Sequence, residues 1–251
     1  MKLHKNNTAF RSFQGAVNSN RFVLAVWILV GVIIPYRRFL EKNSNNYFIF
    51  KNACLHLIEN KALYTSYQEG LDLFMYGPLF GVLMAPYAFL PDSVGSLLYL
   101  ITSALLLYLA IQILPIARNM KNGICLLCLV EFGNNQQHFQ FNATIAALII
   151  LSFTLILRHR EVLATLCISL AIFTKLYGLM ALPFFLFSKN KRRFVVALLC
   201  WAVLAYTLPI IFSSPHFVFN SYVQWFELLA GKNQTNLLLG GFQDKSVIGV
   251  I

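Results

Sequence analysis

The sequence predicts an all-α, polytopic helical membrane protein. Three observations carry that reading. Of 251 residues, 58% are hydrophobic and only 12% are charged, whereas a soluble domain carries about 25% charged residues. The mean hydropathy is +0.66, and too few polar groups exist to cover a water-facing surface. The apolar residues come in continuous runs, not in the period-two alternation of a membrane barrel. Helices then remain as the structure that satisfies the backbone in lipid. A soluble globular enzyme, a disordered chain and a disulfide-dense secreted module are excluded.

The balance of 20 Lys+Arg against 9 Asp+Glu gives a formal charge of +11. Most cations flank apolar runs, where they anchor helices to headgroups. The expected partner is therefore the lipid bilayer and not nucleic acid. The five cysteines lie in or beside apolar stretches and imply no disulfide framework. Cys125 and Cys128 form a lone CxxC with no second pair, which favours packing over a metal or redox site.

Residues 1–21 are polar and basic, with Lys2, Lys5, Arg11 and Arg21, and read as a cytoplasmic tail. Residues 22–251 read as a single transmembrane domain. Its first segment, Phe22–Tyr36, is closed by Arg37 and Arg38 and lacks a cleavage-site pattern, so it is an uncleaved first helix. Residues 37–73 form a long polar stretch holding Glu41, Glu59, Glu69 and Asp72, four of the nine acids. Within it, Tyr47–Ile58 spaces Phe48, Ala53, Leu55 and Ile58 near a helical period. That spacing predicts an interfacial helix on an outer loop.

Further segments follow at Phe74–Leu90 and Val94–Ala117. Gly123–Val130 is too short to span alone, because crossing takes about 20 residues. Ala143–Leu157, Val162–Ser188 and Phe194–Phe212 complete the set. As one helix, Val162–Ser188 would be roughly 40 Å long, against about 30 Å of hydrocarbon, and it contains Lys175, Gly178 and Pro183. Either it tilts strongly, or it breaks near Lys175 into a re-entrant pair. The charge distribution favours the break. With Gly123–Val130 not crossing, Arg158, Arg160 and the 189–193 cluster fall inside, while Arg118 and Lys121 fall outside. Lys175 and a polar loop at 132–142 then share the outer side with residues 37–73. The sequence stops within an apolar pattern begun at Leu237, as if it were incomplete at the C-terminus.

Few residues suggest chemistry. Lys175 sits among Ile172, Phe173, Leu176 and Leu179. It either snorkels to the interface or holds a lipid phosphate at the membrane surface. Glu131–Asn142 is a row of amides with His138 and three Phe residues. It is either a solvated loop or a sugar-binding one, with amides bonding hydroxyls and rings stacking on sugar faces. His138 has no partner ligand at metal-binding spacing, and no metal is expected. Asp72, at the water–lipid boundary, is either a bare surface carboxylate or a base able to take a proton from an acceptor hydroxyl.

Three features in order resemble glycosyltransferase family 87. The first is the outer loop ending Leu63-Tyr64, followed by Tyr76-Gly77-Pro78-Leu79-Phe80. The second is Phe139-Gln140-Phe141-Asn142 leading into an aliphatic helix. The third is Thr174-Lys175-Leu176-Tyr177-Gly178, followed by Pro183 and the basic cluster. The resemblance implies a C-type glycosyltransferase fold in a cell membrane. It also implies an inverting, metal-independent transfer of a hexose, mannose-like, from a polyprenyl-phosphate donor on the outer face. The acceptor would be a glycan or glycolipid, and no cofactor beyond the donor is implied. Lys175, Tyr177, Tyr76, His138, Gln140 and Asn142 become candidate substrate-binding residues. The family's early catalytic Asp corresponds to Asn45-Asn46-Tyr47, where an amide cannot accept a proton. Asn46 therefore marks the expected catalytic position and Asp72 the carboxylate able to take the role. A non-catalytic membrane scaffold and a transporter are the alternatives, the latter expecting paired broken helices.

Overall fold

The computed structural model describes residues 19–42, 44–65 and 72–239, with side chains to residue 231. Residues 1–18 of the expected tail, Glu69 of the polar stretch and the terminus beyond Leu239 lie outside the described residues. All regular structure among the described residues is helical.

Helix α1 runs Asn20–Lys42. Ser19 precedes it and accepts the Phe22 N–H, supplying a partner for a donor the first turn leaves open. At Leu29–Ile33 the helix widens into a π turn, which offsets its carbonyls from the usual ladder. The displaced Gly31 carbonyl accepts from Gln136 Nε2 at 3.0 Å. Two residues before the π turn, Trp27 stacks on Phe132 at 3.9 Å and donates to the Ala104 carbonyl.

Helix α2, Asn45–Ile58, occupies the span expected for the interfacial helix. Its buried face is Tyr47, Phe50, Ala53, Cys54 and Leu57, whereas Ile58, expected on that face, is exposed. The reason is α3, Leu79–Ala88, which packs along α2 and shifts the covered stripe. Only these ten residues of the expected segment Phe74–Leu90 are helical. Pro78 disfavours helix before it, so Asp72–Pro78 runs as a non-helical strap. At about 15 Å, α3 is half the length needed to cross about 30 Å of hydrocarbon.

Helix α4, Asp92–Gln112, is followed by α5, Arg118–Leu127, and α6, Leu129–Gln137. The short segment Gly123–Val130 is thus divided between two helices. Residues 132–137, expected as loop, are helical, and only the turn 138–141 is irregular. That turn places Phe139 in the left-handed region, φ 50, where its buried ring stacks on Tyr99. Helix α7, Asn142–Leu157, then packs on α4 and α8, Glu161–Thr174.

After α8 the chain reverses at Lys175, which is extended, and returns as a 3-10 helix over Leu176–Phe187. The segment Val162–Ser188 is therefore two half-helices. Gly178 permits the reversal: a Cβ there would collide with the backbone of Ala171 and Ile172. Helix α9 runs Lys191–Ile211, its last turn 3-10, and α10 runs Pro215–Leu239. By length and composition, α1, α4 and α9 can each cross a membrane.

Polar contacts sort the loops into two ends. At one end, Arg118 and Asn122 donate to Asn20 Oδ1, Lys121 to the Gln112 carbonyl, and Arg158 to the Ile113 carbonyl. At the other, Arg38 donates to Gln137, Lys51 pairs with Asp92, and Ser213 donates to Asn60. Lys175 and the turn 138–142 share the second end with α2, as the sequence predicts. Arg118 and Lys121 depart from the expected topology and lie at the Asn20 end. The cause is α3, which lies on α2 and leaves α4 to start at the second end.

Candidate active site

At the second end a cleft of about 920 Å³ opens between α2, the strap, the 138–142 turn, the Lys175 reversal and α10. Asn46, Ile49 and Phe50 line one wall, a spacing that puts all three on one helical face. Asp72, Tyr76, Gln140, Asn142, Lys175 and Tyr177 line it as well. Seven of the eight residues singled out from the sequence therefore meet here. Among the described lining residues, Asp72 is the single carboxylate and Lys175 the single cation.

The Lys175 corner is built by three elements. Its Nζ donates to Asn142 Oδ1 at 2.6 Å. It also lies 5.1 Å from the Tyr76 ring centroid and 4.8 Å from that of Tyr177, within cation–π range. Asn142 is oriented in turn, donating to Gln140 Oε1 at 3.0 Å, and Asn135 donates to the same oxygen. The amide row is thus a relay that fixes the acceptor facing Lys175.

Tyr76 is held by packing. Its ring stacks on Phe80 at 4.6 Å and meets Phe50 edge-on. Burial first, with the neighbouring Tyr177 adding, pushes its phenol up to about 12 against the lowering effect of a backbone hydrogen bond with Phe141. It stays a neutral hydrogen-bonding group at physiological pH. Three bonds anchor the strap around it: Tyr64 Oη donates to the Tyr76 carbonyl, Trp225 Nε1 to the Met75 carbonyl, and Gly77 N to the Thr174 carbonyl. Gly77 is required for the last approach, because a Cβ would collide with the Phe173 carbonyl.

Asp72 is the first described residue of the strap. Its Oδ2 accepts from Asn45 Nδ2 at 2.8 Å. Asn46, one residue on, donates to the His138 carbonyl at 2.6 Å. His138 meets the site through that carbonyl alone: its exposed imidazole is not among the lining groups. Glu59, at the end of α2, pairs with Lys61 at 2.7 Å, away from the cleft lining. Among the described residues no cluster of three His, Cys, Asp or Glu could hold a metal.

Sequence reasoning missed Trp225, Leu229 and Phe50, and it named Asn45 within Asn45-Asn46-Tyr47 without its bond to Asp72. Trp225 reaches the cleft from α10, 150 positions from its partner Met75, and no local pattern announces such a contact. Asn45 did carry a signal, an amide at the start of α2, but nothing in the sequence ties it to Asp72.

A family model, glycosyltransferase family 87, matches residues 74–251. The matched span includes Tyr76, Gln140, Asn142, Lys175 and Tyr177, while Asn46 and Asp72 precede it. No curated protein and no solved structure matches the chain.

Proposed function

Because the chain belongs to glycosyltransferase family 87 and is a membrane glycosyltransferase, we propose that it moves a hexose, mannose-like, from a polyprenyl-phosphate donor to an acceptor hydroxyl. The observation that supports this is the cleft itself, with one cation and one carboxylate among its described lining residues. In the proposed step the acceptor oxygen bonds to the anomeric carbon as the bond from that carbon to the phosphate oxygen breaks. The hydroxyl proton passes to Asp72, and the electron pair leaves with the phosphate, whose added negative charge Lys175 stabilises. A charge that develops in the transition state is where a fixed cation in low dielectric is most effective. Gln140, Asn142, Tyr76 and Tyr177 supply amides and rings suited to sugar hydroxyls and faces, and Asn46 joins them from α2. His138 contributes its carbonyl to holding Asn46.

The bilayer, the lipid-linked donor and a glycan or glycolipid acceptor are the proposed partners. The site is a cell membrane with several crossings. The Asn20 end carries Arg21, Arg118, Lys121, Arg158, Arg160 and the 189–193 cluster, so the positive-inside rule makes it cytoplasmic and turns the cleft outward.

The test is transfer by the full chain in lipid nanodiscs, using a polyprenyl-phosphate [14C]mannose donor and mannoside acceptors. Labelled disaccharide of inverted anomeric configuration is expected. Absence of transfer from mannose, glucose and galactose donors alike would overturn the reading.

A further inference from the structure

Resting on the reading of Asp72 as proton acceptor, we propose that Asn45 is a positioning residue that aims the Asp72 carboxylate at the acceptor hydroxyl. The strap that carries Asp72 is fixed at Met75, Tyr76 and Gly77 by Trp225, Tyr64 and Thr174. Those anchors lie three to five positions beyond Asp72 and leave its side-chain torsions unset. Asp72 and Leu73 are both exposed, so packing does not set them either. Among the described residues, the hydrogen bond that reaches the carboxylate comes from Asn45, Nδ2 to Oδ2 at 2.8 Å.

The frame behind Asn45 is rigid. Asn45 is the first residue of α2, and side chains in a first turn point back past the helix N-terminus, here toward the strap. The next residue clamps the same turn to the loop before α7, through Asn46 and the His138 carbonyl. Two turns of α2 behind it bury Tyr47, Phe50 and Cys54. A carboxylate held by such a frame keeps its orientation when the acceptor arrives.

The residue type fits the task. An amide donates one N–H to Oδ2 and leaves Oδ1 to receive the proton. It carries no charge, so it holds the carboxylate without pairing it off. A carboxylate at position 45 would have no proton to donate and would repel Asp72 across a hydrogen-bond distance. Alanine would leave the plane of the carboxylate unset, and misplacement of about 1 Å can cost about 100-fold in rate.

The experiment compares wild type, Asp72→Asn, Asn45→Ala and Asn45→Asp in nanodiscs, with polyprenyl-phosphate mannose as donor and rates taken per folded, monodisperse protein. Asn45→Ala should lower kcat about 10- to 100-fold with the donor KM unchanged. Asn45→Asp, which keeps the shape and loses the donor, should fall at least as far. Its acid limb of kcat should also move to higher pH, because two facing carboxylates retain a proton between them. The other titratable groups lining the cleft, Lys175, Tyr76 and Tyr177, are the same in all four proteins. Wild-type kcat in Asn45→Ala, with Asp72→Asn inactive, would overturn the positioning role and leave the role of Asp72 standing. Full activity in Asp72→Asn would overturn both. A gain of activity in Asn45→Asp would place the base at position 45 and overturn the proposal.

Discussion

Lys175 Nζ is held by Asn142 Oδ1 at 2.6 Å, with the Tyr76 and Tyr177 ring centroids 5.1 and 4.8 Å from the same ammonium. Asn142 starts α7 and Lys175 ends α8, so this single contact closes one corner of the cleft across two helices. An amide and two rings meet this ammonium. In the proposed reaction this is the cation that meets the departing phosphate.

Replacing that cation tests its part directly. Lys175→Met should lower turnover at least about tenfold, roughly 1.4 kcal/mol of barrier, with expression and thermal midpoint near wild type. Unchanged turnover at normal expression would return Lys175 to a structural role.

The strap depends on a glycine. Gly77→Ala puts a Cβ against the Phe173 carbonyl, and backbone cannot yield as a side chain does. The expected cost is about 1–3 kcal/mol, read as a lowered thermal midpoint in detergent. A wild-type midpoint would mean that the strap has room to move away from Thr174.

The buried amide at Gln136 should matter for stability and not for chemistry. Its Nε2 donates to the Gly31 and Leu100 carbonyls, and its Oε1 accepts from Ser103. Gln136→Leu strands these groups and should cost about 1–3 kcal/mol, with kcat per folded molecule preserved. A midpoint within error of wild type would show that the π turn in α1 does not need this partner.

Orientation can be read chemically. In a background with native cysteines replaced by serine, Lys61→Cys and Ser213→Cys should react with an impermeant maleimide in intact cells. Arg118→Cys and Arg158→Cys should react only after permeabilisation. The reverse pattern would turn the cleft to the cytoplasm.

Much of this arrangement is legible in the residues. A lysine in an apolar run, followed by Gly178 and Pro183, marks the Lys175 reversal, because neither a buried charge nor a proline suits a continuous helix. The amide row before α7 is likewise visible as polar residues between apolar ones. What the sequence hides is set by partners distant along the chain. Phe74–Leu90 is apolar enough to read as a span, and the sequence does not announce that only Leu79–Ala88 of it is helical and packs on α2. That one difference moves Arg118 and Lys121 to the opposite end. His138 looks like a binding side chain by composition, yet the turn at Phe139 presents its carbonyl. The tie between Asn45 and Asp72 bridges 27 positions, with no periodicity to announce it.

The most direct test of the account is sugar transfer by Asp72→Asn, measured beside donor binding in the same nanodiscs. The exchange keeps size and polarity and removes the proposed proton acceptor. Transfer from polyprenyl-phosphate mannose should be abolished while donor affinity stays within about twofold, because Lys175, Asn142 and the two tyrosines are untouched. Full transfer activity in Asp72→Asn would contradict it.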